Sequence, residues 1–217
     1  MASRITFASM PNSAFANLPH DSSRRLSDVF TSDQAFDEYY SSEVRKKSAR
    51  HWSTLQVAVR AAEFLVTDKD VHVLDIGSGV GKFCLAAAHR YPDAKFYGVE
   101  QRKDLYDVAV NYNEVLNLHN VSFIHGNFTM LDFRQFDHFY FYNSFYENLE
   151  GADKIDDKLE YSLSLYNYYN RYLYKQLEEK PKGTRIVTFH SLEGELPRDY
   201  YTVKTHLNDT LKFWMKV

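Results

Sequence analysis

With 217 residues, 44% of them hydrophobic and 25% charged, the chain has the length and composition of one globular domain with a short extension. A lone Cys84 excludes an internal disulfide framework and a Cys-based zinc site, and a formal net charge of -3 supplies no general pull toward nucleic acid or acidic membranes. The outlier is aromatic content, 16% of the chain, with 17 Tyr and 16 Phe.

The first twenty residues lack a basic stretch followed by an apolar one, so no secretory signal is expected. The apolar run from Phe83 to Ala88 is too short to cross a bilayer, and cytoplasmic placement is the expectation. Residues 1–23 are small, polar and Pro-interrupted, which predicts a weakly ordered arm. From Leu26 to Ser48 apolar and aromatic residues return among charges, predicting short helices or a folded flap, so that residues 1–50 form an arm and lid ahead of a domain over 51–217. A helix is predicted over Trp52 to Leu65.

Strands and helices then alternate. Strands are predicted at Val71–Asp75, Lys95–Glu100, Val121–Ile124 and Phe139–Tyr142, with helices over Val80–Tyr91 and Asp104–Leu116 between them. A long helix over Asp157–Leu177 carries Leu159, Leu163, Tyr166, Tyr169, Leu173 and Leu177 as a core-facing stripe. A fifth strand follows at Thr184–His190, and Tyr200–His206 with Thr210–Val217 form a closing hairpin through Asn208-Asp209. The alternation predicts an α/β fold, a Rossmann-like doubly wound sheet that is mostly parallel with an antiparallel C-terminal hairpin. Ligands of such sheets sit beyond the carboxyl ends of the strands.

The most informative segment is Asp75-Ile-Gly77-Ser78-Gly79-Val-Gly81. Glycines at alternate positions let the backbone turn tightly and approach a ligand at a helix N-terminus. The dinucleotide fingerprint needs Gly or Ala three residues after Gly79, where this chain has Lys82. The P-loop needs a Ser or Thr after Gly81-Lys82, where it has Phe83.

The remaining reading resembles the class I, seven-strand methyltransferases that use S-adenosylmethionine (SAM), over Val71 to about His190. The resemblance implies that Gly77, Ser78, Gly79 and Gly81 lie under the methionine part of SAM. It implies Asp75 beside the SAM ammonium, and Glu100, with Gln101 next to it, on the ribose hydroxyls, since two carboxylate oxygens can accept from a cis-diol. It also puts Asn127 and Phe128 at the adenine. Core packing is nearly as good a reading of Phe128, and a degenerate domain that binds nothing is the bland reading of the whole motif set.

The acceptor side falls on Tyr142-Asn143-Ser-Phe145-Tyr146, at the end of the fourth strand. Amino-methyltransferases with an Asn/Asp-Pro-Pro-Tyr/Phe motif share Asn143 and Tyr146 but not the prolines. Non-SET lysine methyltransferases of the telomeric-silencing-disruptor type are similar at more positions: the glycine turn, Tyr97-Gly-Val-Glu100, Asn143-Ser-Phe145 and Gly183-Thr-Arg-Ile-Val187.

The resemblance implies N-methylation of a protein lysine or another amine, with Asn143, Phe145 and Tyr146 as catalytic candidates. Small-molecule or nucleobase and amide methylation is the alternative, and a SAM-binding interaction module without turnover is the reading from another class. A lysine must first lose a proton, at roughly 4 to 5 kcal/mol at pH 7, whereas a planar amide or nucleobase amine is already neutral.

His190 is the best-placed base for a hydroxyl acceptor, although a strand-end His satisfied by backbone is the favoured reading. No His residues share metal-ligand spacing on one element, so no metal is expected. Arg45-Lys-Lys47 with Arg50-His-Trp52 reads either as a substrate-facing basic stretch or as the solvated face of a helix. Tyr39-Tyr40 reads as a cover for SAM or as packing, and Cys84 as a core filler.

Overall fold

The computed structural model describes residues 26–190 and 193–217. The arm predicted over residues 1–23 lies outside the described residues. Seven strands, β1 (His72–Ile76), β2 (Lys95–Glu100), β3 (Val121–His125), β4 (His138–Tyr142), β5 (Arg185–Phe189), β6 (Tyr200–His206) and β7 (Leu211–Lys216), form one sheet in the order β3-β2-β1-β4-β5-β7-β6. The first five pair in parallel, and β7 runs antiparallel between β5 and β6. The β6–β7 turn places Leu207, Asn208 and Asp209 all at positive φ, a conformation Asn and Asp tolerate better than most residues.

Strand alternation sorts the core into two layers. Val73 and Tyr140 face one side, under α4 (Leu55–Leu65), α5 (Lys82–Arg90) and α6 (Lys103–Leu116). Leu74, Ile76, Phe139 and Phe141 face the other, under α7 (Leu163–Glu178) and the short 3-10 turns at Phe128–Met130 and Phe133–Gln135. Two of these helices, α4 and α7, begin at hydroxyl caps: Thr54 Oγ1 accepts from the Val57 N–H, and Ser162 Oγ from the Leu165 N–H.

Among the described residues, three helices precede this unit: α1 (Leu26–Val29), α2 (Asp33–Asp37) and α3 (Ser42–His51). Phe36 and Tyr40 are wholly buried in the first layer, against Tyr112 of α6. The Tyr40 hydroxyl donates to the Val80 carbonyl and the Tyr112 hydroxyl to the Phe36 carbonyl. Tyr39 stacks on Tyr112. This pair of tyrosines packs; it does not cover the cleft described below.

One predicted element needs correction. The long helix starts at Leu163 rather than Asp157, and only Leu173 and Leu177 of the expected stripe are buried. Leu163 is 62% exposed and Leu159 precedes the helix. Residues 149–161 are instead irregular chain, tied to the end of β2 by side-chain bonds.

Candidate functional site

The strand order reverses between β1 and β4, so the connections leaving their carboxyl ends diverge and open a crevice. A cleft of about 650 Å³ lies there, bounded by the glycine turn, the ends of β2 and β4, the 3-10 turn at Phe128 and the end of α3.

The glycine turn is built for close approach. Gly77, Gly79 and Gly81 all have positive φ, at 77°, 54° and 77°. A Cβ on Gly77 would meet Ser144 at 2.6 Å, and one on Gly79 would meet the Trp52 ring at 2.8 Å, so neither position admits a side chain without displacing a neighbour. Gly81 is the cap of α5, with its own Cβ position filled by Phe123.

Glu100 ends β2 and lines the cleft. One carboxylate oxygen accepts from the Gly79 N–H at 2.9 Å and the other from the Arg102 N–H at 2.8 Å. A carboxylate has about four lone-pair sites, so acceptor capacity remains for a diol. Burial raises its pKa, against the backbone donors and the Arg102 charge that pull it down. Arg102 has a side chain only 5% exposed; its guanidinium also reaches Glu147 at 2.8 Å, Asp156 at 3.2 Å and the Tyr161 hydroxyl at 2.6 Å.

On the acceptor side, Tyr142, Asn143, Ser144, Phe145 and Tyr146 all line the cleft. Asn143 takes a left-handed φ of 45°, which lets the chain reverse directly at the end of β4. Ser144 Oγ donates to the Ile76 carbonyl, joining this turn to β1. Phe145 is 4% exposed and stacks on Phe128 with centroids 5.0 Å apart, so the two rings form the apolar floor. Tyr146 is 46% exposed at the rim. The Tyr142 hydroxyl donates to the Arg50 carbonyl, and the His190 ring lies 5.9 Å from the Tyr142 ring. Burial lowers the pKa of His190, and also that of His51 against the opposing charges of Glu147 and Asp153.

The sequence-predicted residues therefore divide. Gly77, Gly79, Glu100, Gln101, Phe128, Asn143, Phe145 and Tyr146 meet in one cleft. Ser78 and Gly81 shape the turn from behind, outside the lining. Asp75 does not face the cleft: it is 3% exposed, beneath the turn, where the Cys84 thiol donates weakly to it at 3.8 Å. It borders a small adjoining cavity together with His51, Trp52, Gly77 and Tyr142, four residues that also line the cleft. Asn127 is also off the lining; its amide nitrogen donates to Gln101 and to the Tyr169 hydroxyl, and its oxygen accepts from Thr129 N–H. Sequence reasoning missed Arg102, Ile155 and Asp153 as cleft residues. Their only available signal was the cluster of charges around 147–157.

A protein-family model described as a methyltransferase domain matches residues 67–215. The chain belongs to this methyltransferase family. Among curated proteins, a tRNA (guanine-N(7)-)-methyltransferase of Synechococcus sp. (strain JA-3-3Ab) is 46% identical over 54 residues, 25% of this chain and 23% of that protein. A release factor glutamine methyltransferase of Buchnera aphidicola is 35% identical over 67 residues, 31% of this chain and 24% of that protein. The matches thus span about a quarter of these relatives' length. An RNA methyltransferase from Salinibacter ruber, solved with S-adenosyl-L-homocysteine, shares the fold at a TM-score of 0.53 and 23% identity, over 74% of this chain and 90% of that one.

SAM is the methyl donor of this family. The residues present fit it: a side-chain-free turn for the methionine part, an ionisable diol acceptor in Glu100, and the Phe128 ring for a planar base. When bound, SAM would supply a methyl group on a sulfonium that departs as a neutral thioether; the part of this chain would be to align an acceptor lone pair with that methyl and to exclude water.

Proposed function

We propose that the chain is a SAM-dependent N-methyltransferase acting on a planar, already neutral nitrogen, with a nucleobase as the best-supported acceptor. The observation that carries this reading is the acceptor side of the cleft. Asn143, with one amide oxygen to accept from an N–H and one NH2 to donate, lines the same cleft as the flat rings of Tyr142 and His190. Phe145 is turned inward against Phe128, and Tyr146 stands at the rim. Phe145 and Tyr146 line the cleft, but one ring is packed against Phe128 and the other is half exposed, so they desolvate a lysine ammonium less than rings closed around it would, which favours an acceptor that is already neutral. The fragment shared with a tRNA (guanine-N(7)-)-methyltransferase is consistent with it, since that name specifies a nucleobase nitrogen.

In this scheme Glu100 and the glycine turn hold the donor. Asn143 orients the acceptor nitrogen, Tyr142 and His190 stack on its plane, and α3 closes one rim through Arg50 and His51. The segment before residue 51 serves as a wall for the site.

The test pairs calorimetry with transfer of a tritiated methyl group from SAM to a cell lysate, followed by nuclease or protease treatment. Wild type is expected to bind S-adenosylhomocysteine (SAH), with at least a tenfold loss on Glu100→Ala, and to label nuclease-sensitive material. Asn143→Ala should cut transfer at least tenfold while changing SAH affinity less than threefold. Label that survives nuclease and is lost to protease overturns the nucleobase acceptor; an equal loss of binding and transfer on Asn143→Ala overturns its acceptor-side role.

A further inference from the structure

Between β4 and α7 the chain runs from residue 143 to 162 with one short 3-10 turn, Tyr146–Asn148, as its only regular structure. A connection that long and irregular has no internal ladder to fix its course and is more often functional than incidental. Here the buried ties that fix its course from outside converge on one side chain, Arg102. Arg102 Nη2 donates to Glu147 Oε2 and to the Tyr161 hydroxyl, and Nε donates to Asp156 Oδ1. The bonds continue inward: Glu147 Oε1 accepts from the Ile155 N–H, and the Tyr161 hydroxyl donates to the Asp156 carbonyl. Glu147 and Ile155 line the cleft. The fourth neighbour of the guanidinium is Glu100, with Nη1 3.8 Å from Oε1, while the Arg102 backbone N–H donates to that same oxygen.

We propose that Arg102 is a positioning residue that couples the donor side of the cleft to its acceptor-side wall. The inference rests on the cofactor reading of Glu100 given above. One buried guanidinium is shared between the carboxylate expected to hold the ribose and the carboxylates that hold residues 146–161 in place. A ligand that fixes Glu100 therefore fixes Arg102, and through it the wall; by thermodynamic reciprocity, an ordered wall favours the ligand. Among the described residues the segment has exposed ties as well, Lys158 to Asp104 and Asp153 to Arg50, but these involve solvated side chains and none reaches Glu100.

The experiment is hydrogen exchange of peptides covering residues 146–161, with and without SAH, alongside calorimetry of SAH binding. It compares wild type, Arg102→Gln and Asp156→Asn. Asp156→Asn is the second variant because it cuts one arm of the clamp without stranding three carboxylates. In wild type, SAH is expected to slow exchange in 146–161 at least tenfold. In Asp156→Asn that protection should drop below threefold although SAH still binds, and in Arg102→Gln it should vanish with at least a tenfold loss of affinity. A purely structural role would change exchange equally with and without ligand. Undiminished SAH-induced protection in Asp156→Asn, or SAH binding by wild type with no protection of this segment, overturns the coupling while leaving the cofactor reading intact. No heat of SAH binding in wild type overturns the cofactor reading, and the coupling falls with it.

Discussion

Asp75 lies one residue from the end of β1, buried with few groups to satisfy it. Burial raises its pKa well above the usual carboxylate range, the Cys84 thiol lowers it slightly, and the charge of Glu100 raises it further. Between the unfolded-state and native pKa values, the native state therefore holds a proton on Asp75 that the unfolded chain has lost. Its contribution to stability is fully present below the unfolded-state pKa and is lost as pH rises through the native one. Asp75→Asn keeps the shape and removes this titration. Neutral buried histidines such as His138, whose pKa burial pushes down to about 4, act in the opposite direction but are common to both proteins. The difference in melting temperature thus isolates Asp75. Variant minus wild type should grow by a few degrees between pH 5 and pH 8 in thermal melts; a gap that stays constant or shrinks contradicts a protonated Asp75.

At the level of elements, Lys82 carries a part that local sequence does not reveal. It opens α5, the end of a helix where a cation is disfavoured, and is 2% exposed. Asp33 and Asp37, from α2, each approach its ammonium at 2.7 Å. Asp37 also accepts from the Ser48 hydroxyl of α3, and Asp33 from the Leu55 N–H that starts α4. One lysine thus joins four helices. Breaking a buried pair while leaving the partner costs about 3–5 kcal/mol, which for a chain of this size is on the order of a 10 °C drop in melting temperature. Lys82→Met should show that drop, with trypsin cutting first after Arg45, Lys46 or Lys47. Lys82→Met with Asp37→Leu should recover more than half of the loss, and a Lys82→Met melt within 2 °C of wild type refutes the anchor.

The sequence announces Lys82 only as a departure from the dinucleotide fingerprint, because its partners lie 45 and 49 residues away. The same limit explains α7: apolar spacing extended that helix back to Asp157, while a distant arginine holds residues 149–161 as irregular chain. Where the determinants are local, as in Lys95–Glu100, Tyr200–His206 and the glycine turn, the sequence reading and the structure coincide.

For the whole molecule, the question is whether the helices before residue 51 are an appendage or part of the domain. The hydrophobic cluster is continuous across that point: Phe36 and Tyr40 pack with Tyr112, Phe83 and Val80 in one layer. Removing residues 1–51 would uncover the Tyr112 face of α6 and leave Lys82 buried without either carboxylate. Burial of each large side chain is worth about 1.5–3 kcal/mol, and the lost ion pairs add to the two rings. Together these approach the 5–15 kcal/mol that stabilises a typical domain. A chain spanning residues 52–217 is therefore expected to melt without cooperativity, to bind a hydrophobic dye and to show no SAH heat. A detachable lid predicts the reverse: a cooperative melt within a few degrees of the full chain, with SAH affinity lowered and folding intact. The melt decides between them, because it reads the shared aromatic layer directly and does not depend on which molecule the cleft accepts.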